Sequence, residues 1–386
     1  MRNEAESLVG AGYDVTVLSW DRMGDQPHGR VVNGVKVVSL KLARGSEFSK
    51  VSYAFSALLL QLYCVYWVLR NVRGACIVHA NDFNTLSAGA LLKVIRAGRL
   101  KLVYDCHELT PSAYSEWYGP MVGSFSASLE RNLLRRADWV LTVSPPIRGY
   151  LAAYSKAPVT VIYNTIRASS VPEQEKSWWK SQLHLDGFVV SYVGMLRQDV
   201  CLDLLVEAAR SVKRLGLDIR FVIVGYGPDM DRIRALASGL EGYVKFVPRV
   251  PHSVALGYVR ASDISYAVYG NSARHTRQVA DGIALADLNT MVAMPWKVFE
   301  AMACGTSVMV MGGTYTWRFV EELGFGLAVK AEDSSEIVEQ LRWALENREE
   351  LGLAAEAARG HFFKDFNWEA MSVHLSAAYD QLSRTC

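Results

Sequence analysis

Short apolar runs rich in β-branched residues alternate along this chain with longer stretches of helical periodicity. Runs that are apolar at successive positions indicate strands covered on both faces. Because helical stretches connect them, the pattern predicts parallel strands in two doubly wound α/β domains. The predicted strands cover residues 14–20, 35–40, 76–80, 101–108, 139–144 and 159–164 in the first half, and 188–194, 219–225, 244–248, 264–270, 307–312 and 326–330 in the second.

The length of the chain and one polar interruption predict the domain boundaries. The 386 residues exceed what one ordinary core holds. Residues 167–182 are polar, contain a proline and suit a linker. We expect Rossmann-like domains at 1–166 and 183–360, with the default ligand site in the cleft between them. Residues 361–386 have helical spacing and form a terminal helix that could cross back to the first domain.

The chain opens in a helical stretch, RNEAESLVGAG at residues 2–12, and the first apolar run follows it. A doubly wound domain normally opens with a strand. We therefore expect the first strand of the N-terminal domain, and the loop after it, to be missing from this sequence.

Composition narrows the class of protein. A formal charge of +2 leaves no basic excess to neutralise phosphates, which argues against nucleic acid as the main partner. The six cysteines are scattered without a Cys-x-x-Cys pair, which is typical of reduced thiols and a cytoplasmic location. Residues 51–70 are nearly uncharged and approach the length of a membrane span. Their interruption by serines and a glutamine favours a buried or interfacial helix.

The segment MPWKVFEAMACGTSVMV, residues 294–310, places Lys297 and Glu300 one turn apart on a short predicted helix before a buried strand. A surface ion pair is the plain interpretation. However, the start of such a helix lies at the carboxyl-end crevice of the sheet, where α/β domains bind ligands. A helix N-terminus with a nearby lysine attracts anions, and a carboxylate there can accept hydrogen bonds from two sugar hydroxyls.

This segment resembles the donor-binding segment of the family 4 nucleotide-sugar glycosyltransferases, which have the GT-B fold. The resemblance runs through nearly the whole chain, and the Pro-x-Lys-x-x-Glu spacing is similar to that of one branch of the family. That branch also lacks an earlier acidic residue, at the position of Val292. The other matching segments, in order, are RNEAESLVGAGYDVTVLSW, YDCHELTP, LERNLLRRADWVLTVSPPIRGYL, VTVIYN, SYVGML, LDLLVEAA, FVIVGYGP and FNWEAMS.

The resemblance implies a donor site in the second domain. Glu300 would bind the ribose, Gly194 would lie in the loop around the diphosphate, and Lys297 would support that charge. The family usually has basic residues at the positions of Met195 and Val200. Arg197 could substitute by turning its guanidinium onto the phosphates. The alternative is that Arg197 is a solvated loop residue.

In the first domain, the segment KLVYDCHELTP ends a predicted strand with polar residues. The resemblance implies that His107 hydrogen-bonds the donor sugar, while Glu108 orients the loop. A structural turn is the alternative for this pair. Tyr114 and Trp117, followed by several arginines, suit an acceptor with sugar rings or a lipid diphosphate at a membrane surface. An ordinary loop and helix would explain them equally well.

We expect no metal and no cofactor. Asp229 and Asp231 follow a Gly-Pro pair at the start of a predicted helix, so we interpret them as helix-capping charges. The polar stretch 271–290 is expected to be a mobile loop over the donor site.

The resemblance implies a retaining glycosyltransferase that moves a sugar from a nucleotide-sugar donor to a saccharide or lipid-linked acceptor, in cell-surface polysaccharide or glycoconjugate synthesis. The departing diphosphate would take the proton of the acceptor, and the protein would supply positioning and positive charge. Two alternatives stay open. One is a non-catalytic GT-B homologue that acts as a partner subunit or binding scaffold, and the other is a sugar-nucleotide epimerase.

Overall fold

The structure is a computed structural model, and its fold is α/β, as the sequence predicts. The chain separates into two compact units, residues 1–163 with 371–386 (unit 1) and residues 164–370 (unit 2). The described residues are 1–21, 24, 26–41, 50–74, 76–96, 98–270, 288–329 and 334–385.

Unit 1 contains a three-stranded sheet of order β1–β3–β2 and a four-stranded sheet of order β4–β5–β6–β7. Helices connect the strands of the second sheet, so all its pairs are parallel. The elements are α1 (Arg2–Gly10), β1 (Thr16–Trp20), β2 (Gly29–Val32), β3 (Val35–Leu40), α2 (Lys50–Asn71), β4 (Cys76–Asn81), α3 (Phe83–Arg96), β5 (Leu100–Cys106), α4 (Thr110–Tyr118), α5 (Pro120–Leu134), β6 (Trp139–Thr142), α6 (Pro145–Ala152) and β7 (Val159–Val161).

Strand β2 is an element that the apolar pattern does not predict, and it pairs antiparallel with β3. The turn between them is Asn33-Gly34, with φ angles of 50° and 82°. Those angles suit the tight hairpin turns that Asn-Gly favours, so this dipeptide was the available sequence signal. The expectation of exclusively parallel strands is therefore wrong for unit 1.

The strands of the four-stranded sheet end at a common edge. Asn81 at the end of β4 lies opposite Asp105, and Cys106 at the end of β5 lies opposite Thr142. This register brings the polar residues that follow β4 and β5 to one side of the sheet, where parallel sheets bind ligands.

Unit 2 contains a six-stranded parallel sheet of order β10–β9–β8–β11–β12–β13. The order reverses between β8 and β11, and this reversal opens a crevice outside their carboxyl ends. The elements are α7 (Lys176–Leu183), β8 (Phe188–Met195), α8 (Leu202–Leu215), β9 (Ile219–Tyr226), α9 (Met230–Leu236), β10 (Val244–Val247), α10 (His252–Ala261), β11 (Ile264–Ala267), α11 (Leu288–Val292), α12 (Trp296–Ala303), β12 (Ser307–Met311), α13 (Tyr315–Glu322), β13 (Gly326–Val329), α14 (Ser334–Glu346) and α15 (Arg348–His361).

The segment predicted as a linker is folded. Residues 168–170 form a 3-10 helix and α7 begins at Lys176, both within unit 2. The Trp179 ring packs closely on Gly257 of α10, where a β-carbon would collide with it. Burial of an indole stabilises a short helix that its polar composition does not favour. The linker prediction for 167–182 is therefore wrong.

The last helix, α16 (Trp368–Ser383), contains the position at which the chain returns to unit 1. Within that unit, the sulfur of Met371 accepts from the backbone N–H of Tyr163 at 3.4 Å, and Tyr379 is buried. Most of the loop predicted at 271–290 falls outside the described residues, and its last three residues begin α11. Among the helices that the structure describes, none has the length and apolar content needed to cross a membrane.

Asp263, just before β11, is bonded to residues of α7, α15 and β8 in unit 2. Its buried carboxylate accepts from Lys176 at 2.9 Å, from Lys180 at 3.2 Å and from Arg348 at 3.0 Å. It also accepts from the backbone N–H of Val189 at 2.8 Å. Burial alone would raise the pKa of Asp263, but the two lysines and this backbone bond hold it below its ordinary value.

We expect Asp263→Asn to lower the stability of unit 2 by about 2 kcal/mol at pH 7, because a charged acceptor is lost while its basic partners can still reach water. Urea unfolding measures this. The pKa of Asp263 is lower in the folded chain, so its contribution is present at neutral pH and is lost as the pH falls through that value. The unfolding free energies of wild type and Asp263→Asn should therefore become equal in acid.

The control is Asp186→Asn, which changes an exposed carboxylate in the same unit and should stay within about 0.5 kcal/mol of wild type. A wild-type urea midpoint in Asp263→Asn at pH 7 would show that this cluster contributes nothing to stability.

Candidate functional site

The candidate donor site lies at the carboxyl end of β8, beside the reversal in strand order of unit 2. Gly194 is the penultimate residue of β8, and α12 begins nearby with Trp296 and Lys297. A β-carbon at position 194 would collide with the Lys297 ammonium. Only glycine therefore lets the lysine reach this end of the strand.

Lys297 is held inside the crevice. Its ammonium donates to the backbone carbonyl of Val193 and lies 5.0 Å from the centre of the Tyr192 ring. Burial lowers the pKa of Lys297, and the charge of Arg197 acts in the same direction, while Glu300 opposes them. These contacts place a lysine with two further N–H donors at the strand end, where an anion would be stabilised.

Glu300 lies one turn further along α12 and contacts a residue that the sequence did not single out. Its Oε1 accepts from Nε2 of His252, the first residue of α10, at 2.8 Å. This hydrogen bond raises the pKa of His252. The Trp296 ring lies 5.9 Å from the His252 ring. Lys297 and Glu300 thus have different partners, Val193 and His252, which does not match the surface ion pair considered as the alternative.

Arg197 follows β8 in the loop, and its guanidinium is paired with Asp199. Nε donates to Oδ1 at 3.0 Å and Nη2 donates to Oδ2 at 2.5 Å. Its side chain is half exposed. The structure therefore places Arg197 near Lys297 but directs its fork to a neighbouring carboxylate, so a role on phosphate stays a prediction.

The two positions where the family usually has basic residues differ from each other in the structure. Met195 is 45% exposed at the end of β8, whereas Val200 is buried in the apolar core of unit 2. A basic residue at position 200 would need a different path for this loop. Asp229 precedes α9 and accepts from Arg232 through both oxygens at 2.7 Å, so its carboxylate is bound by a side chain and not by the helix N-terminus.

The polar cluster of unit 1 centres on Asp105, near the end of β5. Oδ2 of Asp105 accepts from Nε2 of His107 at 2.8 Å and from Nε2 of His79 at 3.2 Å. Nδ1 of His79 lies 2.7 Å from the hydroxyl of Tyr379, on the last helix. The backbone N–H of His107 donates to Asp82 at 3.1 Å. The sequence singled out His107 but gave no signal for His79 or Tyr379, because the tyrosine is about 300 residues away in the chain.

These contacts give His107 a positive charge at neutral pH. Burial lowers the pKa of His107, but the Asp105 carboxylate outweighs it and raises that pKa to about 9. Burial would also raise the pKa of Asp105, and the two imidazoles instead hold it well below its ordinary value. Charges on Glu4 and Asp82 favour the imidazolium as well.

Glu4, Asp105 and His107 have side-chain donor atoms within 4.8 Å of one another. Such a grouping has the ligand types of a metal site. Here, however, Nε2 of His107 carries the proton that Asp105 accepts, and that nitrogen cannot ligate a metal in the same state. The imidazolium offsets part of the charge of the two carboxylates, and the expectation that no metal binds stays a prediction.

The three residues predicted on the acceptor side differ in exposure and in their hydrogen bonds. Glu108 is exposed, and its carbonyl accepts from the Cys106 thiol at 3.2 Å and from the backbone N–H of Thr110 at 2.9 Å. The Tyr114 hydroxyl donates to the side chain of Asn84 at 2.6 Å, which directs it into unit 1. Trp117 is half exposed on α4. The acceptor role of all three stays a prediction.

Comparisons with known proteins agree with this architecture. Residues 1–165 match the model of the glycosyl transferase 4-like domain, and residues 187–347 match that of the glycosyl transferases group 1. An uncharacterized glycosyltransferase of Methanocaldococcus jannaschii is 20% identical over 313 residues, which are 78% of this chain and 73% of that protein.

Solved structures share the fold. Sucrose-phosphate synthase from Thermosynechococcus elongatus superimposes with a TM-score of 0.81 at 19% identity, over 100% of this chain and 93% of that one. Anabaena HepE in complex with UDP-glucose gives a TM-score of 0.65 at 17% identity, over 95% and 99% of the two chains. The UDP-forming trehalose-phosphate synthase of Burkholderia vietnamiensis gives 0.70 at 12% identity, over 99% and 98%. The two matched domains, in this order and with this fold, show that the chain belongs to the GT-B glycosyltransferases of group 1.

Proposed function

We propose that the protein transfers a sugar from a nucleotide-sugar donor to a saccharide or lipid-linked acceptor, with retention of configuration and without a metal. The observation that carries this proposal is the placement of Lys297 beside Gly194 at the end of β8, with Glu300 one turn along the same helix. This geometry offers positive charge to a diphosphate and a carboxylate to a ribose.

The donor would be held from unit 2. The diphosphate would accept from the Lys297 ammonium and from backbone N–H groups at the start of α12. Glu300 would accept from the ribose hydroxyls, with His252 holding one of its oxygens in place. UDP is the first nucleotide to test, because HepE and the trehalose-phosphate synthase, which share this fold, are described with UDP or UDP-glucose and as UDP-forming.

The transfer itself would need charge and positioning. In front-face attack, the bond from the anomeric carbon to the diphosphate oxygen breaks, the bond to the acceptor oxygen forms on the same face, and the diphosphate takes the acceptor proton. Lys297 would stabilise the leaving diphosphate, and Arg197 would join it after release from Asp199. The family resemblance assigns His107 to the donor sugar, where its imidazolium would donate hydrogen bonds.

A non-catalytic role as a binding scaffold is the second candidate, and one observation favours it. The loop after β8 buries Val200 where a phosphate-binding residue is usual, and the guanidinium of Arg197 is already paired. A scaffold would need no affinity for a leaving nucleotide, so nucleotide binding separates the two candidates.

Glu300→Ala tests the ribose contact. We expect the wild type to bind one of UDP, GDP and ADP saturably in calorimetry, and the variant to bind it about 10–100-fold more weakly, because two hydrogen bonds to a carboxylate are lost. Glu339→Ala removes an exposed carboxylate on α14 and should bind like wild type. If the folded wild type binds none of the three nucleotides, that result favours the scaffold role over sugar transfer.

Gly194→Ala tests the approach of Lys297 to the strand end. We expect Gly194→Ala and Lys297→Met each to weaken UDP binding about 10-fold, because the added methyl group displaces the ammonium that the second change removes. The double variant should bind no more weakly than either single one, since both remove the same contact. Gly242→Ala, where a β-carbon meets nothing within 4 Å, is the control. Additive losses would separate the role of Gly194 from that of Lys297.

The charge of His107 predicts a pH dependence. Its pKa is raised to about 9, so the imidazolium is present at neutral pH and is lost as the pH rises through 9. NMR titration of the His107 ring should give that value in wild type and a lower pKa in Asp105→Asn, because the carboxylate that raises it is removed. In each protein, the rate of UDP release from a UDP-sugar donor should fall over the pH range in which its His107 loses the proton. Equal His107 titrations in the two proteins would contradict this assignment.

A further inference from the structure

Helix α2 presents an exposed apolar stripe. Residues 51–69 contain no charged side chain. Five large side chains of this stretch are between 42% and 62% exposed, and their spacing of three or four residues puts them on one face. They are Phe55, Leu58, Leu62, Tyr66 and Leu69. The opposite face of α2 packs on α3 and buries Ser56 and Val68. A helix exposed in this way marks an interaction surface.

The neighbouring helix carries more exposed apolar groups. On α3, Leu91, Val94 and Ile95 are about half exposed. The C-terminal ends of the two helices are joined, because the Arg96 guanidinium donates to the carbonyls of Gly74 at 2.9 Å and Val68 at 3.4 Å. We call these exposed apolar side chains of α2 and α3 the apolar face.

Basic residues accompany the apolar face. Between residues 50 and 101 the chain has seven lysines and arginines and one acidic residue, Asp82. Arg70, Arg73 and Arg99 are exposed near the joined helix ends. Two copies of the chain meeting through this face would bring like charges together, which disfavours a dimer. An anionic lipid surface instead offers a partner for both parts, because its acyl region takes apolar side chains and its headgroups take arginines.

We propose that the apolar face of unit 1 docks on an anionic phospholipid bilayer, with α2 lying along the interface. The helix is about 33 Å long at 1.5 Å per residue, and its exposed stripe lies on one side, which suits a position in the plane of the membrane. The stripe enters the boundary between headgroups and acyl chains, and Arg70 and Arg73 contact the headgroup phosphates. This proposal extends the lipid-linked acceptor of the proposed function, and its test requires neither nucleotide nor sugar.

The experiment is sedimentation of the full chain with vesicles of phosphatidylcholine, alone or mixed with phosphatidylglycerol. We expect wild type to bind the mixed vesicles and to lose affinity as salt is added. Leu58→Glu/Leu62→Glu should bind at least about 100-fold more weakly, because insertion of each leucine contributes about 10-fold and glutamate is repelled by the lipid charge. Arg70→Gln/Arg73→Gln should lose much of the dependence on phosphatidylglycerol.

Leu353→Glu is the control, since Leu353 is a leucine of unit 2 that is even more exposed than Leu58 and Leu62, and it should bind vesicles like wild type. Thermal unfolding of each variant shows whether it is folded. A wild type that stays in the supernatant, or a folded double-glutamate variant that sediments like wild type, would overturn the proposal. A wild-type dimer that ignores vesicles and becomes monomeric in the double-glutamate variant would assign the apolar face to a second copy instead. A wild type that binds vesicles but none of UDP, GDP and ADP would refute the proposed function alone.

Discussion

The approach of the Lys297 ammonium to the end of β8 is the contact around which the candidate donor site is arranged. A buried ammonium is costly unless its donors and charge are matched. Here the Val193 carbonyl accepts a hydrogen bond from the ammonium, and the Tyr192 ring lies close enough for a cation–π interaction with it. The contact requires a position without a side chain, Gly194, and a helix that starts at the reversal in strand order. An anion entering the crevice would help to balance this charge, and the diphosphate of the proposed donor is such an anion.

In unit 1, the positive charge is on an imidazolium that a buried carboxylate stabilises. One buried carboxylate, Asp105, accepts from two imidazoles, and its field keeps His107 protonated at neutral pH. The His79 ring is in turn in contact with Tyr379 of the last helix, so the terminal segment belongs to the surroundings of this cluster. Both units therefore hold a cationic side chain at the carboxyl ends of parallel strands.

Local patterns in the sequence were enough to predict much of the fold. Each predicted strand is present, because a buried parallel strand needs an uninterrupted apolar run whatever its neighbours are. Strand β2 was missed because it is short and half exposed, although Asn33-Gly34 was a usable hairpin signal. The linker prediction for 167–182 was wrong because polar composition dominated the pattern, while Trp179 and the lysines bound to Asp263 anchor the segment.

The candidate site shows where such prediction stops. The order of apolar runs, the Lys297-x-x-Glu300 spacing and the position of His107 after a strand are local features, and the sequence by itself determined them. Tertiary structure alone decided that His252 holds Glu300, that Asp199 occupies Arg197 and that Tyr379 reaches His79. It also decided which face of α2 is exposed. The physical reason is that hydrogen bonds and burial depend on distances in space, and packing brings together residues whose separation in the chain carries no pattern.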